Sequence, residues 1–120
     1  MERGFKGLIV WQKAYLFALE MYKATENFPK MGQCALTSQM RRAAVSVSGN
    51  ISEGYERKHR KEYVQFLMIA KGSLGELETY LMFARDLCYL SEDKYARLKK
   101  SREEVIKILK GLIKSLTTRP

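Results

Sequence analysis

Residues 41–61, RRAAVSVSGNISEGYERKHRK, combine two opposing features. Apolar side chains recur at helical spacing through Ala44, Val47 and Ile51, which predicts a helix with one buried face. The residues between them are mostly serine, glycine and asparagine, which are poor helix formers. Because each glycine costs a helix up to about 1 kcal/mol relative to alanine, close packing against a neighbouring helix must recover that free energy. The segment therefore predicts a tightly packed pair of helices.

Helical periodicity continues in three further segments, and no strand-like alternation of useful length competes with it. We predict helices at Leu8–Thr25, at Gln33–Glu56, at Arg60–Leu87 and from Ser91 to the end of the chain. Pro29 ends the first helix, and Ser91 followed by two acidic residues is a favourable N-cap for the last. Short joints favour antiparallel neighbours. The predicted fold is all-α, an antiparallel up-down-up-down four-helix bundle that forms one domain over residues 1–120.

An antiparallel pairing of the second and third helices sets their register. Residues whose numbers sum to about 118 lie at the same level, so Ser46 faces Gly72 and Ser73. Small residues on both helices permit close approach of the backbones, and hydroxyl groups can bond across the gap. Asn50 and Glu53 are expected to bond between helices or across a subunit boundary. The expected polar network consists of Arg42, Ser46, Asn50, Glu53, Ser73 and Glu76, with an ion pair between the arginine and Glu76.

The charge balance is the main functional signal. Twenty-two lysines and arginines against 13 acidic residues give a formal net charge of +9. An excess of this size on a small domain favours a nucleic-acid partner, or less often an acidic protein or a membrane surface. No motif indicates base-specific recognition, so we expect contacts to the phosphate backbone.

Two candidate basic surfaces follow from the helix assignments. The first is the joint between the second and third helices, where side chains would bind phosphates or merely solvate a connector. It consists of Arg57, Lys58, His59, Arg60 and Lys61. The second lies on the last helix, where it is either a binding surface or an ordinary exposed face. It consists of Lys100, Lys107, Lys110 and Lys114, with Arg97 and Arg102 nearby.

Other residue types indicate structural roles. Trp11, Tyr15, Phe17 and Tyr22 recur at helical spacing, which favours core or subunit packing over stacking on bases. The two cysteines, Cys34 and Cys88, lack metal-ligand spacing, and we expect buried, reduced thiols.

The sequence also lacks the usual marks of several protein classes. One histidine cannot supply the paired ligands of a di-iron bundle, and no phosphate-binding glycine loop is present. We therefore predict no metal, no cofactor and no enzymatic activity. Without a long apolar span or a secretory signal, a cytoplasmic protein that does not associate with membranes is expected.

Several motifs, in order and spacing, resemble a known family. They are Val10-Trp11-Gln12-Lys13-Ala14, Phe28-Pro29, Leu36-Thr37-Ser38-Gln39, Arg41-Arg42-Ala43, Asn50-Ile51 with Glu53-Gly54, Gly72-Ser73-Leu74 and Glu76-Leu77-Glu78. Over nearly its whole length the chain resembles the bacterial four-helix bundle proteins encoded within intervening sequences of large-subunit ribosomal RNA genes. Ser48 stands where many relatives carry proline, and His59 stands where a serine usually caps the third helix.

The resemblance implies a non-enzymatic protein that assembles as a ring-like homopentamer. A related branch, the accessory variability determinant of diversity-generating retroelements, binds nucleic acid and partners a reverse transcriptase. The leading hypothesis is a homo-oligomeric accessory or scaffold protein that binds RNA or DNA electrostatically. The alternative is a protein-interaction module that partners a nucleic-acid enzyme such as a reverse transcriptase.

Overall fold

The chain folds into a bundle of four α-helices. The computed structural model describes residues 4–30 and 34–118. A short 3-10 helix (Gly4–Gly7) precedes α1 (Ile9–Thr25), α2 (Cys34–Glu56), α3 (Arg60–Asp86) and α4 (Glu92–Thr117). These ranges contain no β-strand, so the all-α prediction is confirmed for the described chain. The predicted helix ends are within one residue of those observed wherever both are described, while the predicted start at Gln33 lies outside the described residues.

Local sequence explains the helix ends. The Ser91 hydroxyl accepts a hydrogen bond from the Lys94 backbone N–H at 3.2 Å, which confirms the predicted N-cap of α4. His59 occupies the N-cap of α3 without a side-chain cap bond, as the replacement of serine predicts. Beyond α1, Phe28 is buried and its ring packs against Tyr89 at 5.4 Å. This aromatic pair covers one end of the core.

Consecutive helices run antiparallel around a square. α2 and α4 each contact both α1 and α3, which leaves α1 and α3 at opposite corners. The bundle measures 50 × 25 × 24 Å, and its core lies along the central axis. The largest fully buried side chains are Phe17, Met21, Met40, Ile51, Leu67, Leu74, Leu77, Leu81, Leu109, Val47 and Val105.

The seam between α2 and α3 has the predicted register. The Ser46 and Ser73 hydroxyls hydrogen-bond across it at 3.0 Å. The Asn50 side-chain amide donates to the Ser46 carbonyl at 2.8 Å and to its hydroxyl at 2.9 Å. Ser46, Asn50 and Ser73 therefore form the centre of the expected polar network, and the two serines link the helices.

The closest approach of α2 and α3 lies elsewhere than expected. A Cβ atom added at Gly54 would lie 2.7 Å from the Cβ of Phe66, whereas no atom lies within 4 Å of one added at Gly72. The prediction that Gly72 faces Ser46 is therefore wrong, and Gly54 is the glycine that close packing requires. The reason is angular: Ser73 points to the seam, and the preceding residue is rotated by about 100° towards solvent.

The expected ion pair between Arg42 and Glu76 is absent, and both residues are exposed. One turn of helix from each serine of the seam, the two charges have rotated outward, where water solvates them. Glu53 accepts a hydrogen bond at 3.0 Å from Arg57, one residue beyond the end of α2, and Asn50 bonds only to Ser46 of α2. Neither residue bonds to another helix of the described monomer, so the alternative, a bond across a subunit boundary, stays a prediction.

Arg102 is the cation that links two helices. Only 7% of its surface is exposed, so the prediction that it broadens the positive surface of the last helix is wrong. Its Nε donates to the Leu74 carbonyl of α3 at 2.6 Å, and its Nη2 lies 3.5 Å from the Glu78 carboxylate. The fork geometry of a guanidinium allows both contacts from one side chain.

The prediction of buried cysteines is wrong for Cys88. This thiol is free but exposed, and its φ of 63° places it in the left-handed region just beyond α3; the side chain of Cys34 lies outside the described residues. Among the aromatic residues, Phe17 is buried in the core, whereas Tyr15 and Tyr22 are 48% and 44% exposed, so packing against another subunit stays a prediction for them. The Tyr15 ring stacks on Trp11 at 5.1 Å at the surface of α1.

Candidate nucleic-acid interface

The chain reverses direction within the basic joint. α2 ends at Glu56 and α3 begins at Arg60, so only residues 57–59 connect them. Lys58 adopts the left-handed conformation, with a φ of 58°, which allows a tight reversal. All five residues of the joint are exposed at one end of the bundle.

Arg57 differs from its neighbours because its charge is compensated. Its Nε lies 3.0 Å from the Glu53 carboxylate and its Nη1 lies 3.4 Å from that of Glu62. The guanidinium also covers the Phe66 ring, 5.0 Å from the ring centre. These contacts hold the end of α2 against the start of α3, which is a structural role.

The remaining basic residues of the joint are free to meet a ligand. Lys58, His59, Arg60 and Lys61 form no ion pair with any residue in the described ranges. Unpaired cations retain their full attraction for phosphate groups, which is strongest at low salt. The i,i+4 spacing of Glu53 and Arg57 was a signal in the sequence that could have separated Arg57 from this set, whereas its contact with Glu62 depends on the fold.

A cleft of about 360 Å³ opens beside the joint. Its lining combines cations of the joint with aromatic and aliphatic side chains from all three helices that meet there. The residues are Tyr55, Lys58, His59, Arg60, Tyr63 and Leu116, and we call this site the joint cleft. The rings of Tyr55 and Tyr63 meet edge to face at a centroid distance of 5.8 Å.

Tyr63 is the unusual member of the joint cleft. Its hydroxyl oxygen is buried, and no hydrogen-bond partner lies near it among the described residues. Burial raises the pKa of Tyr63 above its ordinary value, and the neighbouring Tyr55 adds to this effect. Sequence reasoning missed the cleft, although the antiparallel register that pairs Ser46 with Ser73 also brings Tyr55 opposite Tyr63.

The second basic surface is a stripe along α4. Its members are all exposed and recur at helical spacing over about 20 Å: Lys100, Lys107, Lys110 and Lys114. We call this surface the lysine stripe. It ends close to the joint cleft, because Leu116 lines the cleft two residues beyond Lys114. Glu103 lies among the lysines, whereas the Glu104 carboxylate forms an ion pair with the Lys13 ammonium group of α1 at 3.5 Å.

Arg97 does not belong to the lysine stripe. It lines a separate groove of about 290 Å³ between α1 and α4, near the other end of the bundle. Lys23 and Lys94 line the same groove, together with Glu20. The predicted basic surface of the last helix is therefore divided between a solvent-facing stripe and the wall of this groove.

Comparison with known proteins identifies the family of this chain. Residues 6–111 match the model of the family described as 23S rRNA-intervening sequence protein. The chain belongs to this family. The matched range includes the joint and most of the lysine stripe, and the match confirms the resemblance found in the sequence motifs.

A solved structure supports the fold of this intervening-sequence protein. It is the crystal structure of a protein with unknown function from the S23 ribosomal protein family of Bacteroides thetaiotaomicron. The two chains share 25% sequence identity and superpose with a TM-score of 0.80, over 88% of this chain and 99% of that one. No curated protein is significantly similar to this chain.

The described residues were also searched for membrane-spanning helices and for metal-binding clusters. None of their helices is both long and apolar enough to cross a membrane. Within 4–30 and 34–118, no three histidine, cysteine, aspartate or glutamate side chains come together in a way that could hold a metal ion.

Proposed function

We propose that this intervening-sequence protein is a non-enzymatic, homo-oligomeric accessory or scaffold protein that binds RNA or DNA through the phosphate backbone. The observation that carries the proposal is the set of exposed basic residues at the joint that form no ion pair within the described chain: Lys58, His59, Arg60 and Lys61. The lysine stripe extends this positive surface along α4, and the net charge of +9 supports attraction to a polyanion.

Backbone binding makes a quantitative prediction for salt dependence. Each phosphate neutralised on duplex DNA contributes about 0.9 to the slope of log affinity against log salt concentration. Replacing Lys58, Arg60 and Lys61 together with glutamine should therefore lower that slope by up to about 3 and weaken binding at low salt. Fluorescence anisotropy with labelled structured RNA and duplex DNA, at several salt concentrations, measures both effects.

The matched control removes the same charge from the opposite end of the bundle. Lys23, Lys94 and Lys99 are exposed and belong to neither the joint nor the lysine stripe. Their triple glutamine variant has the same net charge as the joint variant. Equal losses in the two variants would show that only net charge matters, and an unchanged slope in the joint variant would remove the joint from the interface.

The homo-oligomer, a ring-like homopentamer by family resemblance, is supported by apolar surface that the monomer leaves in water. The outer face of α1 exposes Ile9, Leu16 and Leu19 by 62%, 56% and 46%. On α3, Ile69 and Phe83 are 52% and 56% exposed. Because these two different faces lie at opposite corners, head-to-tail contacts between copies can bury both and close into a ring.

Glycines on the outer face of α3 support the same assembly. No atom lies within 4 Å of a Cβ built at Gly72 or Gly75. Each costs the helix up to about 1 kcal/mol relative to alanine, and nothing within the described part of the monomer recovers that cost. Packing against a second copy would recover it, as close helix contacts do within the bundle.

A protein partner such as a reverse transcriptase is the second candidate function. It is favoured by an apolar groove of about 300 Å³ between the start of α2 and the end of α3. Its lining residues are Ala35, Leu36, Gln39, Tyr80, Phe83 and Leu87. Tight binding of a protein partner that nucleic acid does not displace, and that does not displace nucleic acid, would favour this function. Salt-sensitive binding of nucleic acid without such a partner would give no support to it.

A further inference from the structure

The joint cleft contains more than backbone binding requires. Phosphate groups are held by cations, which Lys58 and Arg60 supply, but phosphates gain nothing from an aromatic wall. Tyr55, Tyr63 and Leu116 nevertheless form part of the lining. Both tyrosines are half-buried, so part of their ring surface faces the cleft beside the cations. Cations beside accessible ring surface are typical of proteins that bind single-stranded nucleic acid, where bases stack on aromatic side chains.

The size of the joint cleft fits a small ligand. Its volume of about 360 Å³ lies at the lower end of the range for small-molecule sites. That space suits one nucleotide rather than a duplex, whose bases are covered on both faces by their neighbours. A cleft of this size would therefore distinguish nucleic acids by whether a base is free to leave its stack.

The orphaned hydroxyl of Tyr63 is a second, independent observation. Most buried polar side-chain atoms in proteins have a hydrogen-bond partner, and an exception requires an explanation. Among the described residues, the Tyr63 hydroxyl is the one such atom without a partner. A hydroxyl both donates and accepts, so it can pair with either kind of polar atom on the edge of a base.

We propose that the joint cleft holds one unpaired nucleotide, with its base against Tyr55 and its phosphate on Lys58 and Arg60. The inference rests on the proposed nucleic-acid function and names the ligand class of the same site. It predicts a preference for single-stranded or bulged segments over continuous duplex. The lysine stripe, which ends beside the cleft, then follows the adjoining backbone.

The test compares three oligonucleotides of equal length at one fixed salt concentration: an unstructured single strand, the same strand with abasic sites throughout, and a duplex. The abasic strand keeps the phosphates and lacks the bases. The wild-type protein should bind the intact strand roughly tenfold more tightly than the abasic strand. Anisotropy of a terminal fluorophore measures all three affinities.

Substitutions assign the effect to the cleft. Tyr55→Leu should reduce binding of the intact strand to the abasic level and leave abasic binding unchanged, while Tyr55→Phe, which keeps a ring, should retain the wild-type preference. Tyr15→Leu is the matched control, because Tyr15 is an exposed tyrosine on α1 that lies outside the cleft. Thermal melting followed by circular dichroism checks that each variant is folded.

The outcomes separate this proposal from the broader one. Equal wild-type affinity for intact and abasic strands would overturn the nucleotide site and leave backbone binding standing. A Tyr55→Leu variant that loses affinity for both strands equally would overturn the assignment of the base to Tyr55. No measurable binding of any of the three at low salt would overturn the proposed function and this inference together.

Discussion

At the scale of single residues, Gly54 determines how closely α2 and α3 can pack. A Cβ atom at this position would lie 2.7 Å from the Phe66 Cβ and 3.2 Å from the Tyr63 carbonyl oxygen. Neither atom can move without shifting the helix that carries it, so a methyl group cannot be accommodated by a side-chain rotation. Gly72, on the outer face of α3, has no such constraint.

This contrast predicts opposite effects of the same substitution. Gly54→Ala should lower the free energy of unfolding by about 1–3 kcal/mol, because the helices must separate or bend. Gly72→Ala should raise it by up to about 1 kcal/mol in the monomer, because alanine favours the helix and meets no atom. Urea denaturation of both variants, at concentrations where the protein is monomeric, measures the difference. Equal effects at the two positions would contradict the assigned seam.

At the scale of helices, Arg102 joins α4 to α3. Its guanidinium bonds the Leu74 carbonyl and approaches the Glu78 carboxylate, while its stem packs in the interior. A buried arginine with partners on a neighbouring helix fixes the position of that helix along its axis, since the bond forms at only one level. Arg42, which was expected to do this for α2 and α3, is exposed and unpaired within the described chain.

The two arginines should therefore respond differently to truncation. Arg102→Ala should lower the free energy of unfolding by about 2 kcal/mol or more, from the lost packing of the stem and the lost hydrogen bond. Arg42→Ala, the matched control, should change it by no more than about 0.5 kcal/mol. Denaturant titrations followed by circular dichroism provide both values. An effect of Arg42→Ala above about 0.5 kcal/mol would contradict the assignment of Arg42 as unpaired and would favour the ion pair with Glu76.

At the scale of the whole molecule, charge and apolar surface are separated. The lysine stripe lies on α4, whereas most of the large exposed apolar side chains lie on α1 and α3 at the two corners beside it. Association through α1 and α3 would leave the stripe in solvent and repeat it once per copy. Several weak phosphate contacts then act together, which raises the overall affinity without any new contact.

Head-to-tail association makes a specific prediction for mixed variants. Leu16→Lys should disable the α1 face, and Phe83→Lys should disable the α3 face, so each variant alone should be monomeric in native mass spectrometry. A mixture of the two should form a heterodimer, because one intact α3 face and one intact α1 face remain. Lys107→Gln, on the lysine stripe, is the control and should leave the assembly unchanged. A mixture that stays monomeric would rule out this pair of faces.

The sequence predicted the fold more completely than it predicted the candidate site. Helical periodicity, Pro29 and the Ser91 cap located the described helix ends to within one residue. The short basic joint fixed the antiparallel register, so the bond between Ser46 and Ser73 was predictable. The family motifs gave the same bundle independently. These features are local or depend only on periodicity, which the chain carries in its own order of residues.

The site was decided by packing that periodicity cannot resolve. Successive residues of a helix differ by about 100° in direction, so one position separates the seam from open solvent, as at Ser73 and Gly72. A long side chain can also reach partners that its position on the helix does not indicate. Arg57 contacts carboxylates on α2 and α3, and the Arg102 side chain points into the bundle although its helix is predominantly basic. The joint cleft needs Leu116 from α4 beside tyrosines of α2 and α3, and only the folded chain brings those three helices together. The sequence by itself determined which helices form and how they pair, and the tertiary structure decided which charges are free and which rings they accompany.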